Sequence, residues 1–96
     1  VVHVACIEAV GELLAQRAAG ARVTLECCPH HLTLCAEDVP DGATQYKCAP
    51  PLREAAQVEA LWDALRRGEV DLVASDHSPC PPALKHPATG DVLAAW

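Results

Sequence analysis

Hydrophobic positions recur at spacings of three and four in two stretches of this chain and alternate in shorter ones. From Ile7 to Ala19, the residues Ile7, Val10, Leu14 and Ala18 share one face, which predicts a helix with one buried side. Glu8 and Glu12 sit early and Arg17 late, as the helix dipole favours, and Gly20 supplies the stop. From Arg53 to Arg67 a second stripe of Ala56, Val58, Leu61, Trp62 and Leu65 ends at Gly68, the clearest helix in the chain. Between the two, Val23, Leu25 and Cys27 alternate with Thr24 and Glu26 before Pro29, which predicts a strand over Arg22 to Cys28. Val1 to Val4 has the character of a strand end, with His3 near its tip. Val70 to Ser75 is a short run rich in β-branched residues, expected to be a buried strand.

The remaining segments are less regular. Leu32 to Gln45 has no period, with a single helical turn expected at Ala36-Glu37-Asp38-Val39 and a chain reversal at Pro40-Asp41-Gly42. Tyr46 to Ala49 is a short extended piece stopped by Pro50-Pro51, whose rings fix φ and remove two donors. After Pro82 the chain is expected to be loop, punctuated by Pro87 and Gly90. The order is strand, helix, strand, irregular excursion, helix, strand. Such alternation predicts βαβ units and a parallel α/β sheet. Parallel sheets need both faces covered, and two crossover helices are too few to do it. The 96 residues allow at most one domain, and the chain opens inside a strand-like run, so the domain is expected to be incomplete.

Composition narrows the function classes. A net charge of −6 argues against a nucleic-acid binder, which shows a basic patch. No apolar run reaches the length of a transmembrane helix and no signal-peptide pattern opens the chain, so no membrane partner and a cytoplasmic location are expected. Phe and Met are absent, leaving Val, Leu, Ala and Ile to build the core. None of the six cysteines has C-x-x-C spacing, which argues against a structural zinc site. Reduced thiols are expected.

Chemistry concentrates at predicted strand ends. His3, then His30 and His31, then Asp76 and His77 all fall at or just after such ends, and in right-handed βαβ units these ends share one edge. Imidazole with carboxylate suits Zn²⁺ and similar divalent ions, and an Asp beside a metal can also accept a proton from water. The plainer alternatives are a hydrogen-bonded structural His3, a turn or cap at Ser75-Asp76-His77-Ser78, and one exposed and one buried residue at His30-His31. There is no glycine-rich phosphate loop and no G-x-S-x-G.

Three motifs carry a resemblance: Leu25-Glu26-Cys27-Cys28-Pro29-His30-His31-Leu32-Thr33-Leu34, Lys47-Cys48-Ala49-Pro50-Pro51-Leu52-Arg53, and Ser75-Asp76-His77-Ser78-Pro79-Cys80. In order and separation they resemble the C-terminal part of the cyclic amidohydrolases, which include allantoinase, dihydroorotase and dihydropyrimidinase. Within the group the motifs look most like allantoinase. His31 departs from that pattern, where Tyr is more usual, and leans towards dihydroorotase.

The resemblance implies a partial (β/α)₈ TIM barrel, from about strand six to strand eight, so that residues 1–96 form the C-terminal part of a catalytic barrel. It implies a two-metal centre, with Zn²⁺ or another divalent ion, on the C-terminal rim. His3 matches the sixth-strand ligand, although the usual His-x-Ser-Ser continuation is His3-Val4-Ala5-Cys6 here. Asp76 matches the eighth-strand Asp, which binds metal and takes the proton of the attacking hydroxide. Cys48 and Ala49 match a substrate-contacting loop, and His30, His77 and Ser78 fall at the second shell or rim. The implied reaction is hydrolysis of a cyclic amide: allantoin to allantoate in purine catabolism, or a dihydroorotate or hydantoin-type ring. A non-catalytic binding relative is the other class. The implied partners are the small-molecule substrate and identical subunits, as a tetramer of the full-length protein. The first-, fourth- and fifth-strand ligands match nothing in this sequence, so the isolated chain is expected to be inactive.

Overall fold

The computed structural model describes residues 1–96. Helix α1 spans Ile7–Ala18, one residue short of the predicted end. Its first free N–H groups find no capping side chain at Cys6. Instead the amide of Ile7 donates to Gln57 Oε1 at 2.8 Å, and Gln57 Nε2 donates to Glu8 at 3.0 Å. A residue fifty positions away thus caps the helix, and it ties α1 to α3 (Ala55–Arg66). The start of α3 is handled likewise, its Ala55 amide donating to the Glu37 carboxylate at 3.0 Å. Gly20 and Gly68 follow the two helices at φ of 98° and 71°, left-handed conformations that glycine adopts without a Cβ clash.

The strands are shorter than predicted. Strand β1 is Glu26–Cys27 and β2 is Leu72–Val73, paired in parallel with Glu26 opposite Leu72 and Cys27 opposite Val73. Val1 to Val4 runs beside β1 in the same direction. It is held by the Val1 amino group on Thr24 O at 2.7 Å, Glu26 N on Val1 O at 3.0 Å and Val4 N on Glu26 O at 2.8 Å. It is not a regular strand, because those bonds skip a residue and His3 breaks the extended conformation at φ 56°. The three extended segments still lie side by side in chain order with β1 central, as consecutive βαβ units place them.

The core lies between β1 and the helices: Val4, Val10, Leu25, Cys27, Leu32, Leu61, Ala64 and Val70. Val23, Leu25 and Cys27 face inward as the alternation predicted. In α3 the stripe is centred on Leu61 and Ala64, whereas Ala56 and Trp62 are exposed. Trp62 lies along the surface and donates its indole N–H to Leu32 O at 2.7 Å. The expectation of a buried last strand is corrected. Val70 is buried, but Leu72 and Val73 are 44% and 43% exposed. Consecutive strand residues point to opposite faces, so both faces of β2 lack cover from any other element.

Three irregular pieces complete the chain. Helix α2 (Pro29–Thr33) was not anticipated; it starts on a proline, which suits a first helical position. The expected turn at Ala36–Asp38 is a 3₁₀ turn, and another covers Thr44–Tyr46, where an extended piece was expected to begin. Pro82–Lys85 forms a third 3₁₀ turn inside the expected loop. The radius of gyration is 15.0 Å, against about 12–13 Å for a compact domain of this length, so the molecule is elongated.

Candidate metal centre and cleft

The two tips that flank β1 meet. His3 ends the first extended segment and Asp76 follows β2 three residues on. Both have left-handed backbones, at φ 56° and 47°, a region that non-glycine residues occupy sparingly and often at functional sites. The twist brings His3 Nε2 to 3.6 Å from Asp76 Oδ2. Two donors each about 2.0–2.2 Å from one tetrahedral ion stand about 3.3–3.6 Å apart. The pair's separation lies at the upper end of that range. The Asp76 side chain is half-exposed and the His3 ring is more enclosed.

The other face of the His3 ring is also occupied. Nδ1 lies 3.4 Å from Cys28 Sγ and 3.6 Å from Glu26 Oε1. A ligating imidazole usually engages its second nitrogen in this way, which fixes the tautomer. Burial pushes the Cys28 thiol pKa up, and the Asp76 and Glu26 carboxylates add to that, so the thiol stays protonated at neutral pH. Glu26 and Cys28 were not singled out by sequence. The outward position of Glu26 on the last turn of a strand was the available signal; Cys28 carried none.

Beside Asp76 opens a cleft of about 340 Å³ lined by His30, Lys47, Cys48, Ala49, Asp76, Ser78, Lys85 and Trp96. The segments that meet there are the ones the motifs marked: the Cys48-Ala49 loop, the Asp76 tip with Ser78, and His30 from α2. His77 is exposed and lies outside the cleft lining. His31 does not line the cleft and is 2% exposed. One of its ring nitrogens, Nε2, lies 3.1 Å from Pro50 O, anchoring the loop whose other end lines the cleft. Burial first of all holds the His31 pKa below the usual imidazole value. Its Nδ1 is buried with no partner.

The far wall of the cleft is set by two lysines. Lys47 Nζ donates to Val92 O at 2.8 Å and to Ala95 O, while Lys85 Nζ donates to Lys47 O at 2.8 Å. Lys47 thus reaches backbone carbonyls of the irregular C-terminal segment, and Lys85 of that segment reaches back to the Lys47 carbonyl. Neither lysine, nor Trp96, was legible as a cleft residue, because a segment without period gives no clue to what it packs against.

No family model matches the chain. Curated relatives do. The chain is 47% identical over all 96 residues to the allantoinase of Saccharomyces cerevisiae and 51% identical over 77 residues to that of Arabidopsis thaliana. It covers 21% and 15% of those proteins. Among solved structures, 99% of the chain superposes on a D-hydantoinase (dihydropyrimidinase) from Thermus sp. with a TM-score of 0.86 and 32% identity. An L-hydantoinase (dihydropyrimidinase) from Arthrobacter aurescens gives a TM-score of 0.90 and 31% identity. The chain covers 21% of each of these two structures. Sequence relatives and solved structures agree on one group: over its whole length this chain resembles a segment, about a fifth of the full length, of the cyclic amidohydrolases.

Proposed function

We propose that residues 1–96 are the part of an amidohydrolase barrel from about strand six to strand eight, and that the whole enzyme opens the hydantoin ring of allantoin to give allantoate. The observation that carries this is the 3.6 Å approach of His3 Nε2 to Asp76 Oδ2 at the mouth of a cleft. The elongated shape and the two uncovered faces of β2 support a slice of a larger barrel, since parallel strands are ordinarily covered on both sides.

In this scheme His3 and Asp76 hold a divalent cation, Zn²⁺ by resemblance, within a two-metal centre completed elsewhere in the protein. The cation supplies Lewis-acid polarisation of the ring carbonyl and eases deprotonation of water. Asp76, facing the cleft, accepts the proton of the attacking water on a carboxylate oxygen. The water oxygen bonds to the carbonyl carbon, the ring C–N bond breaks, and the proton ends on the departing nitrogen. Ala49 and Cys48 line the cleft, where by the resemblance they contact the substrate, and His30 and Ser78 border it. The six unpaired thiols support a reducing, cytoplasmic setting, and by the resemblance the full-length protein is a homotetramer.

Identity to the yeast allantoinase exceeds that to the Thermus sp. D-hydantoinase, 47% against 32%, which favours allantoin. His31 supports a second reading with dihydroorotate as substrate. Ring opening measured on allantoin, dihydroorotate and hydantoin with the full-length zinc-loaded protein separates them: the expected order puts allantoin first, and no turnover on any ring points to a non-catalytic relative. The isolated 96-residue chain is expected to show none with added Zn²⁺, and clear turnover by it contradicts the partial-barrel proposal.

A further inference from the structure

Behind His3, a second group of donors converges. Cys28, His30 and His31 each offer a ligand atom, and these lie within 4.8 Å of one another. Cys28 ends the segment that contains β1, and the two histidines are adjacent on α2, with rings 4.2 Å apart. Cys28 and His31 are buried. With Nε2 of His31 on Pro50 O, its remaining nitrogen, Nδ1, is buried and unpartnered, which ordinarily costs free energy. A tetrahedral ion with Zn–S of about 2.3 Å and Zn–N of about 2.0–2.1 Å spaces such donors about 3.3–3.6 Å apart.

We propose that Cys28, His30 and His31 form a binding site for a thiophilic divalent cation, distinct from the His3–Asp76 pair, with His30 as its entrance from the cleft. Thiolate with two imidazoles is a soft-to-borderline donor set, selecting Zn²⁺ or Cd²⁺ over Mg²⁺ or Ca²⁺. An ion there draws the Cys28 thiol away from His3 Nδ1, 3.4 Å from its sulfur, so that excess cation inhibits the proposed hydrolysis. That last consequence rests on the proposed function; the binding does not.

The test is a Cd²⁺ titration of the full-length, zinc-replete protein, read by the ultraviolet thiolate-to-Cd²⁺ charge-transfer band. The wild type takes up one further equivalent with such a band. His30→Ala, at a half-exposed position that leaves the core filled, weakens this uptake at least about tenfold. Cys28→Ser removes the band, whereas Cys48→Ser, the other thiol of the cleft, leaves it. No band on the wild type, a band that survives Cys28→Ser, or His30→Ala binding like wild type overturns the proposal. A ligand-free His3–Asp76 site filling with Cd²⁺ gives no thiolate band, so failure of the amidase reading is told apart from failure of this one.

Discussion

Residues 1–73 and residues 74–96 are built on different physics. Every member of the core cluster lies between Val4 and Val70, and both long helices belong to that half. In the last 23 residues only Ala95 is buried, and Leu93 is 94% exposed. The first half is held by apolar packing and by side chains that cap one helix from another. The second is held by Lys47 and Lys85 reaching backbone carbonyls across the cleft. The candidate site sits on the seam. His3, Cys28 and His30 come from the packed half, Asp76, Ser78 and Trp96 from the other.

The sharpest way to break the packed half is through its centre. Leu61→Ala empties a fully buried site in the core cluster and is expected to cost about 2–5 kcal/mol, seen as a lower denaturation midpoint with unchanged denaturant slope. Lys47→Met tests the other half. It removes charge-assisted hydrogen bonds worth about 1.5–3 kcal/mol, so Ala95 and Trp96 amides should exchange faster with solvent while the Leu25 and Val10 amides keep their protection. Equal loss of protection in both halves contradicts the distinction.

A smaller effect is expected at Asp71, which accepts from Leu25 N at 2.7 Å and pairs with Arg17 at 2.5 Å. The backbone hydrogen bond from Leu25, and next Arg17, hold its carboxyl below the usual carboxylate value. A depressed folded pKa means stability that is present above the unfolded value of about 3.9 and is lost as pH falls through the lower folded one. Asp71→Asn should flatten stability against pH in that acid window and leave it unchanged in slope near neutrality. The smallest effect is expected at Leu93→Ser, within about 0.5 kcal/mol by thermal unfolding.

The two halves were not equally legible. Periodicity located α1 and α3 to within two residues, because an amphipathic stripe is a local signal. It missed α2, where Pro29 reads as a strand stop as readily as a helix start. It overextended the strands, since a β-rich run pairs only as far as a neighbour exists, and β2 has one on a single side. The tips of His3 and Asp76 were legible from their places at strand ends. Their left-handed backbones, and the Glu26–Cys28 backing behind His3, depend on how strands from distant parts of the sequence sit together. Lys85 and Trp96 reach the cleft from a segment whose sequence carries no period at all.

The central claim is that His3 and Asp76 jointly hold catalytic metal at the seam. Bound-metal content measured alongside allantoin ring opening, in the full-length protein with Asp76→Asn and His3→Ala, tests it most directly. Each variant is expected to stay folded, to lose bound metal relative to wild type, and to fall to background turnover. Full metal content with wild-type turnover in either variant contradicts the account.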